Sequence, residues 1–339
     1  SHMPSGKQTT LLIWFVGLSV LVGLTVWYGA GQVGQAMLSA GWAAAALVLL
    51  ARIAAVAGAG VGWWLVFPRE IRPPVLTCML LRFVREGANA LLPLAQIGGD
   101  FIGARCLALK GVRGTVAAAS VIVDVLMQAA TQLVFAIVGL VLLMAMGGNE
   151  VIAWPIAIGI AVAIPALCGF FMIQGERGQT FVRKLLSLFA GDRNWLVFGA
   201  IDDLFAQLDA FYSHRRGLVR SGVWHLGVWF LGATEVWIVL HFMGHPVSYE
   251  QAVIIESLMH AVRGAAFAVP GALGAQEGGL IVLCAIFGVP PEAALGLSLV
   301  KRIPDLIIGV PGLIAWQAME GWHFHRSRGR TAGNQNERA

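Results

Sequence analysis

Charged residues are scarce in this chain: aspartate, glutamate, lysine and arginine make up 12% of its 339 residues, whereas hydrophobic residues make up 58%. A soluble globular protein carries about 25% charged residues. Several apolar runs exceed about 18 residues, the length needed to cross a bilayer core of about 30 Å. These features exclude a soluble protein and predict an all-α integral membrane protein. The net charge of +5 is modest and lies in loops and tails, so it bears on membrane orientation and predicts no nucleic-acid partner.

Cysteine is also rare, and none of the four residues forms a CxxC pair. Cys78, Cys106, Cys168 and Cys284 are scattered through apolar segments, where cysteine usually serves as a small apolar filler. The sequence lacks HExxH, GxSxG and an Asp-x-x-Asp-Gly metal array. We therefore expect no catalytic residue, no metal and no cofactor.

Six segments are apolar and long enough to be full transmembrane helices. They are 11–29, 42–67, 115–146, 151–174, 221–243 and 292–318. The first is long for a signal sequence and no Ala-x-Ala cleavage site follows it, so we interpret it as a retained span. It follows an N-terminal tail of residues 1–10, of which Ser1, His2 and Met3 look like a cloning remnant.

Two further segments, 75–110 and 248–289, are too long for one ordinary span and too polar for two. Each is interrupted by proline and glycine, and irregular backbone at membrane depth is tolerated only where protein or a water-filled cavity shields it. The pattern predicts two broken re-entrant helical hairpins, each entering and leaving the membrane on one side. The predicted break residues are Pro93, Gly98, Gly99, Pro270, Gly271, Gly278 and Gly279.

With six spans and two hairpins, every loop rich in lysine or arginine falls on one side of the membrane, which is then cytoplasmic. Both termini lie on that side. The basic segment 175–220 contains apolar residues at helical spacing and is predicted to form amphipathic helices on the cytoplasmic surface. Residues 11–320 form a single transmembrane domain in this interpretation, and 321–339 form a disordered tail.

The two hairpin segments resemble each other. Aligning Pro93 with Pro270 without gaps also places Asp100 on Glu277 and Asp124 on Lys301. Three spans separate the hairpins, so the hairpins have opposite orientations and the chain is an inverted-topology repeat. Paired interrupted segments of this kind are the best sequence pointer to a transport site near the bilayer midplane.

Charged residues inside the membrane are costly and usually functional. We expect a polar cavity between the hairpin tips, in which Arg85 and Arg263 hold an anionic headgroup while Asp100 and Glu277 bind a cationic part or carry a coupling proton. The full set of candidate substrate-binding residues is Arg82, Arg85, Glu86, Asn89, Asp100, Glu256, His260, Arg263 and Glu277.

Internal ion pairing is the alternative for the same charges. The candidate pairs are Arg82–Glu86, Glu256–Arg263 and Lys301–Asp305, all at helical spacing. Asp124 and Lys301 occupy equivalent repeat positions and could pair with each other; Arg302 and Asp305 complete the predicted coupling or ion-pairing group. Arg52 is a candidate partner of a carboxylate, and Glu235 could line the cavity or bond a neighbour.

The run from Arg85 to Asp100, REGANALLPLAQIGGD, and the later PGALGAQEGG from Pro270 to Gly279 resemble signatures of the lysylphosphatidylglycerol synthase transmembrane-region family, whose best known member contains the flippase part of the multiple peptide resistance factor. The chain is most similar to its hopanoid-biosynthesis-associated, HpnL-type branch. The resemblance covers most of the chain. It implies a protein of the bacterial inner membrane that moves lipids between leaflets, with Arg85, Glu86, Asn89, Pro93, Asp100, Pro270 and Glu277 in the hairpins.

The chain departs from the full aminoacyl-lipid factor because only a short polar tail follows the last span. Synthesis of lysyl-phosphatidylglycerol is therefore not supported, while transport of a hopanoid or an anionic or aminoacylated phospholipid is. A homodimer fits the family. Two other functions stay open: an intramembrane lipid-modifying enzyme, for which Glu256 and His260 could hold a metal, and a scaffold for lipid synthesis that binds partners through residues 177–213.

Overall fold

The computed structural model describes residues 29–92, 98–148, 150–189, 194–266 and 272–336, together with six isolated positions between 15 and 27. Over these residues the chain is helical and has no β-strand. The helices are α1 (Ala30–Val66), α2 (Val75–Leu91), α3 (Gly98–Leu109), α4 (Gly114–Ala145), α5 (Glu150–Ile173), α6 (Glu176–Phe189), α7 (Asn194–Ser213), α8 (Arg215–Phe242), α9 (Tyr249–Ala265), α10 (Ala275–Ala285) and α11 (Pro291–Asn336).

Four of these helices, α1, α4, α5 and α8, are long and apolar enough to cross a bilayer. They correspond to the predicted spans 42–67, 115–146, 151–174 and 221–243, and the prediction of a helical multi-pass membrane protein is confirmed. α1 is interrupted at Gly41, whose φ of 75° lies in the left-handed region that glycine favours. The stretch after Gly41 is the predicted span.

The other two predicted spans have different outcomes. The first, 11–29, falls mostly outside the described residues. The last, 292–318, lies within α11, which is not among the four helices that could cross a bilayer by length and composition. Its first half carries Lys301, Arg302 and Asp305, and Pro304 and Pro311 lie inside the helix.

Each predicted hairpin segment contains two short helices that pack against each other, α2 with α3 and α9 with α10. α3 has 12 residues and α10 has 11. At 1.5 Å per residue each is about 18 Å long or less, which is too short to cross a hydrocarbon core of about 30 Å. Each break therefore separates a helix of 17 residues from a partner that is too short to span the membrane by itself.

The positions of the breaks differ in part from the prediction. Pro93, Pro270 and Gly271 lie outside the described residues. Gly98 and Gly99 form the first turn of α3, and Gly278 and Gly279 are helical residues of α10. The residue that precedes α10 as its N-cap is Gly274, whose φ of 79° places it in the left-handed region. The second break therefore ends four residues earlier than the Gly278–Gly279 pair suggests.

The predicted amphipathic segment forms α6 and α7. α7 is attached to the start of α4, where Asp203 accepts a hydrogen bond from Arg113 at 2.8 Å and another from Thr115. The pKa of the Asp203 carboxyl is lowered by the hydrogen bond from Thr115 first, and then by a hydrogen bond from Gln207 and the charge of Arg113. α11 extends from Pro291 to Asn336 and so includes part of segment 321–339, for which a disordered tail is the prediction.

Three clusters of buried apolar residues stabilise the described helices, and the two larger ones lie one around each hairpin. One core joins the C-terminal part of α1 to α2, α3, α7 and the first half of α4. The other joins the N-terminal part of α1 to the ends of α4 and α8 and to α9, α10 and α11. α5 packs little and exposes most of its apolar side chains, as expected of a helix that faces lipid.

Candidate functional site

A polar cavity of about 340 Å³ lies between the first helices of the two hairpins, α2 and α9. Side chains from α1, α4, α8 and α11 complete its wall. Six of the nine predicted substrate-binding residues line it: Arg82, Glu86, Asn89, Glu256, His260 and Arg263. The structure thus brings the polar residues of both hairpins to one cavity, although these residues are far apart in the sequence.

The other three predicted substrate-binding residues, Arg85, Asp100 and Glu277, do not line this cavity. Arg85 is completely buried behind it. Its Nε and Nη2 donate to Asp100 Oδ1 at 3.1 and 2.7 Å, and its Nη1 donates to Asp124 Oδ2 at 2.7 Å. The guanidinium carbon lies 4.6 Å from the ring centre of Trp63. The expectation that Arg85 holds a headgroup does not fit this position, because two carboxylates already occupy its donors.

Room for the Arg85 side chain is provided by Gly103 on α3. A Cβ atom at Gly103 would lie 2.4 Å from Arg85 Cγ and 2.5 Å from Cδ, closer than carbon atoms approach without repulsion. Any larger residue at this position would displace Arg85 from its two carboxylates. Gly103 therefore positions the central ion pair of the first hairpin.

Two cavity residues connect this buried ion pair to the cavity. Gln128 donates to Asp124 Oδ2 at 2.7 Å and accepts from Arg82 Nη2 at 2.8 Å. Arg82 also contacts Glu86, with Nη2 3.2 Å from Oε2, so this predicted pair is present. The Nε of Arg82 is buried and has no hydrogen-bond partner. A buried donor without a partner is costly, and this one belongs to a side chain of the cavity wall.

A second group of charges joins α1, α8, α9 and α11. Arg52 forms a two-pronged contact with Glu235, with Nε–Oε1 and Nη2–Oε2 distances of 2.8 and 2.7 Å, and it also pairs with Asp305. The prediction that Arg52 has a carboxylate partner is confirmed. Lys301 pairs with Glu256, whose Oε1 lies 3.3 Å from His260 Nε2. The predicted pairs Glu256–Arg263 and Lys301–Asp305 are replaced by these contacts.

Glu277 is buried beside α11 and belongs to a third group. Its Oε1 accepts hydrogen bonds from Ser298 at 2.6 Å and from Arg302 Nε and Nη2 at 3.0 and 2.8 Å. Its Oε2 accepts from the backbone N–H of Gly274 at 2.7 Å and so caps α10. Glu277 therefore fixes the second break to α11, which is a different role from the substrate ligand that the sequence suggested.

The equivalent residues Asp124 and Lys301 do not contact each other. Each pairs with the first helix of its own hairpin: Asp124 with Arg85 of α2, and Lys301 with Glu256 of α9. The carboxylate in each pair also contacts a histidine. His225 Nε2 lies 2.9 Å from Asp124 Oδ1, and His260 contacts Glu256.

Arg263 differs from the other intramembrane arginines. It lines the cavity, and within the described part of the chain no hydrogen bond or ion pair engages its guanidinium. Asn89, in contrast, uses its amide oxygen to accept the N–H of Gly99 at 2.8 Å. Arg263 is thus a cation at the cavity wall that no described residue engages, whereas the Nε of Arg82 is buried within that wall.

Several cavity residues were missed by the sequence reasoning, namely Gln128, Gln132, His225 and Trp229. A usable signal existed for α4, because Asp124, Gln128 and Gln132 recur every four residues and so share one helical face. His225 and Trp229 show the same spacing on α8. Both α4 and α8 are continuous helices at these positions, so no break in the sequence pattern marks these residues.

The comparison with protein families gives one match, to the family described as lysylphosphatidylglycerol synthase TM region, over residues 14–312. No curated protein and no solved structure matches the chain. The matched residues include all the helices that form the cavity except the end of α11. The chain therefore belongs to the family of the lysylphosphatidylglycerol synthase TM region.

Proposed function

We propose that this protein is a lipid flippase that moves a polar-headgroup lipid between the leaflets of the bacterial inner membrane. Alternating access at two re-entrant hairpins would carry the headgroup past the bilayer core. The lipid is a hopanoid or an anionic or aminoacylated phospholipid, and both termini are cytoplasmic. Membership of the family supports a membrane function related to lipids.

The observation that carries the proposal is Arg263 of the second hairpin, which lines the cavity and has no hydrogen bond or ion pair among the described residues, beside Arg82 of the first hairpin. A phosphate or other anion in the cavity would give Arg263 a partner, and charge-assisted hydrogen bonds of this type are strong. The headgroup would then contact both hairpins at once. Movement of one hairpin relative to the other would change its access from one leaflet to the other.

A cationic group of the substrate also has a counterpart in the cavity. Glu86 lines the cavity and its side chain is 35% exposed, which makes it the most accessible carboxylate among the ion pairs there. A lipid headgroup that carries both a phosphate and an amine would place the amine at Glu86. The short helices α3 and α10 support the re-entrant geometry, because neither is long enough to cross the bilayer.

The experiment that tests the proposal follows leaflet exchange of fluorescent lipids in liposomes that contain the protein. A membrane-impermeant reductant bleaches the label in the outer leaflet, and the remaining signal decays only if labelled lipid crosses. We expect faster decay with the wild type. Arg263→Gln should slow it about tenfold, the effect of losing about 1.4 kcal/mol of headgroup binding.

The matched control is Arg105→Gln, which removes one arginine that lies outside the cavity and pairs with Glu320 at the surface. It should exchange lipid at the wild-type rate. Anionic, aminoacylated and hopanoid lipids added as competitors would rank the substrates. No exchange with any of these lipids, with or without a proton gradient, would contradict the proposal and favour an enzyme or a scaffold.

A further inference from the structure

A second cavity, of about 420 Å³, lies between the C-terminal end of α1 and the N-terminal end of α8. It shares no residue with the cavity between the hairpins. Five of the nine residues that line it are arginines, and none of the nine carries a carboxylate. The arginines are Arg69, Arg72, Arg215, Arg216 and Arg220.

The positive charge of this wall is not neutralised by the protein. Within the described residues, none of the five arginines forms an ion pair with a carboxylate. Exposed arginines elsewhere do: Arg105 lies 3.0 Å from Glu320, and Arg113 lies 2.8 Å from Asp203. The wall is therefore a local concentration of unpaired cations, and an anion is the ligand that would neutralise it.

One of the five arginines is held in place by the protein before any ligand binds. The Nε and Nη2 of Arg72 donate to the carbonyl oxygen of Phe67 at 3.2 and 2.8 Å. Its guanidinium carbon lies 4.3 Å from the ring centre of Trp64, a cation–π contact. These contacts leave Nη1 for a ligand and fix the direction in which it points.

The opposite side of the cavity is the first turn of α8. His214 caps this helix without a side-chain hydrogen bond, so its side chain satisfies none of the first-turn N–H groups. Those groups and the helix dipole favour an anion. A Cβ at Gly217 would lie 2.0 Å from His214 Cδ2 and 2.6 Å from the oxygen of Leu65, so only glycine lets α8 and His214 come this close to α1.

The surroundings of His214 reflect the same excess of positive charge. Burial lowers the pKa of its imidazole, and the nearby Arg72, Arg69 and Arg220 lower it further. Burial and the neighbouring Arg69 and Arg220 likewise lower the pKa of Arg72. The carboxylate of Glu70 raises the pKa of both His214 and Arg72, but it does not outweigh burial and the arginines.

The cavity adjoins the ends of two helices that can cross a bilayer, α1 and α8. Basic residues at the ends of spans mark the cytoplasmic face, and basic pockets between helices on that face bind anionic lipid headgroups. We infer that this cavity binds the phosphate group of an anionic phospholipid from the cytoplasmic leaflet. The site is separate from the transport cavity, and the inference does not depend on the proposed function.

Binding to the full chain in detergent tests this inference without any transport. Native mass spectrometry would count bound short-chain phosphatidylglycerol over a titration, with short-chain phosphatidylcholine and inorganic phosphate as separate arms. Arg69→Gln with Arg216→Gln removes one exposed cation from each wall. We expect this pair to weaken phosphatidylglycerol binding at least tenfold, and the pair Arg69→Lys with Arg216→Lys to retain it.

The control pair is Arg105→Gln with Arg113→Gln, which removes the same charge from arginines that carboxylates already occupy. It should bind phosphatidylglycerol within twofold of the wild type. Equal weakening by the control pair, or wild-type binding by the Arg69–Arg216 glutamine pair, would overturn the site. Inorganic phosphate that binds as tightly as phosphatidylglycerol would overturn the assignment to a lipid.

Discussion

The two hairpin halves use the same contact with opposite charge. In the first half a cation on the hairpin, Arg85, meets an anion on the following long helix, Asp124; in the second half an anion on the hairpin, Glu256, meets a cation, Lys301. Asp124 and Lys301 are equivalent repeat positions. Each of the two segments therefore forms a neutralised pair between its hairpin and the following long helix, and the helix that carries the positive charge differs between the two.

The halves differ in how many groups share each ion pair. Arg85 serves two carboxylates, Asp100 and Asp124, whereas Lys301 serves Glu256 closely and Glu235 only at 4.0 Å. The acid that follows the break is held by the hairpin's own arginine in the first half. In the second half the equivalent acid, Glu277, is held by Arg302 of α11. One cation, Arg85, therefore neutralises both acids in the first half, whereas Glu256 and Glu277 have different cations in the second half.

The largest expected effect is the loss of Arg85. Arg85→Met leaves Asp124 and Asp100 without their common cation, and breaking a buried ion pair costs about 3–5 kcal/mol. The free energy of unfolding in a denaturing-detergent titration measures this cost. Arg105→Met, at a surface pair, should cost about 1 kcal/mol or less. Equal costs for the two variants would contradict the role of Arg85 as the buried cation shared by Asp100 and Asp124.

The next largest effect is a difference between the two halves in how much stability a second substitution restores. Lys301→Met alone should cost about 3 kcal/mol, because Glu256 stays charged and buried. Glu256→Gln with Lys301→Met should recover most of that loss, since no strong charge is left unpaired. Asp124→Asn with Arg85→Met should recover little, because Asp100 still lacks its arginine. Unfolding free energies that form matching double-mutant cycles in both halves would contradict this difference.

A smaller effect concerns the shape of the cation. Arg52 contacts Glu235 with two parallel hydrogen bonds, which lysine cannot reproduce. Arg52→Lys should therefore destabilise the protein by about 1–2 kcal/mol. Arg82→Lys should cost less, because Arg82 makes no such two-pronged contact in the first half. Thermal unfolding of the two variants in parallel would show the order, and the reverse order would contradict it.

The smallest effect concerns the cap of the returning helix. In the first half the cap of α3 comes from Asn89 on the other helix of the hairpin, and in the second half Glu277 caps its own helix. Asn89→Ala should cost about 1 kcal/mol. Asn89→Asp keeps an acceptor for the N–H of Gly99 and should cost less. An identical loss of thermal stability in both variants would show that the cap contributes nothing.

The sequence predicts much of the fold because hydropathy and length decide which segments enter a bilayer. The four spanning helices follow from their apolar runs, and the two interrupted segments follow from proline and glycine. The exact second break did not follow, because several glycines lie near Pro270 and only the backbone shows that Gly274 adopts a positive φ. Composition cannot choose among neighbouring glycines.

The candidate site was predicted less completely. Spacing within one helix identified Arg82–Glu86, which is a local pair, but it failed for Glu256–Arg263 and Lys301–Asp305. The packing of helix faces decides which of these residues form ion pairs. Glu256, Lys301 and Asp305 contact partners on other helices, and Arg263 lines the cavity. Contacts such as Arg52 with Glu235 join residues far apart in the chain, and no periodicity of either helix alone encodes them.

The central claim is that lipid headgroups enter the cavity between α2 and α9, and photo-crosslinking tests it most directly. A phospholipid with a photoreactive group in its headgroup would be added to the protein in liposomes, irradiated and mapped by peptide mass spectrometry. We expect adducts on cavity peptides that contain Glu86, Trp229 and Arg263, and we expect excess unlabelled lipid and Arg263→Gln each to reduce them. Adducts confined to the lipid-facing surface of α5, unchanged by either treatment, would contradict it.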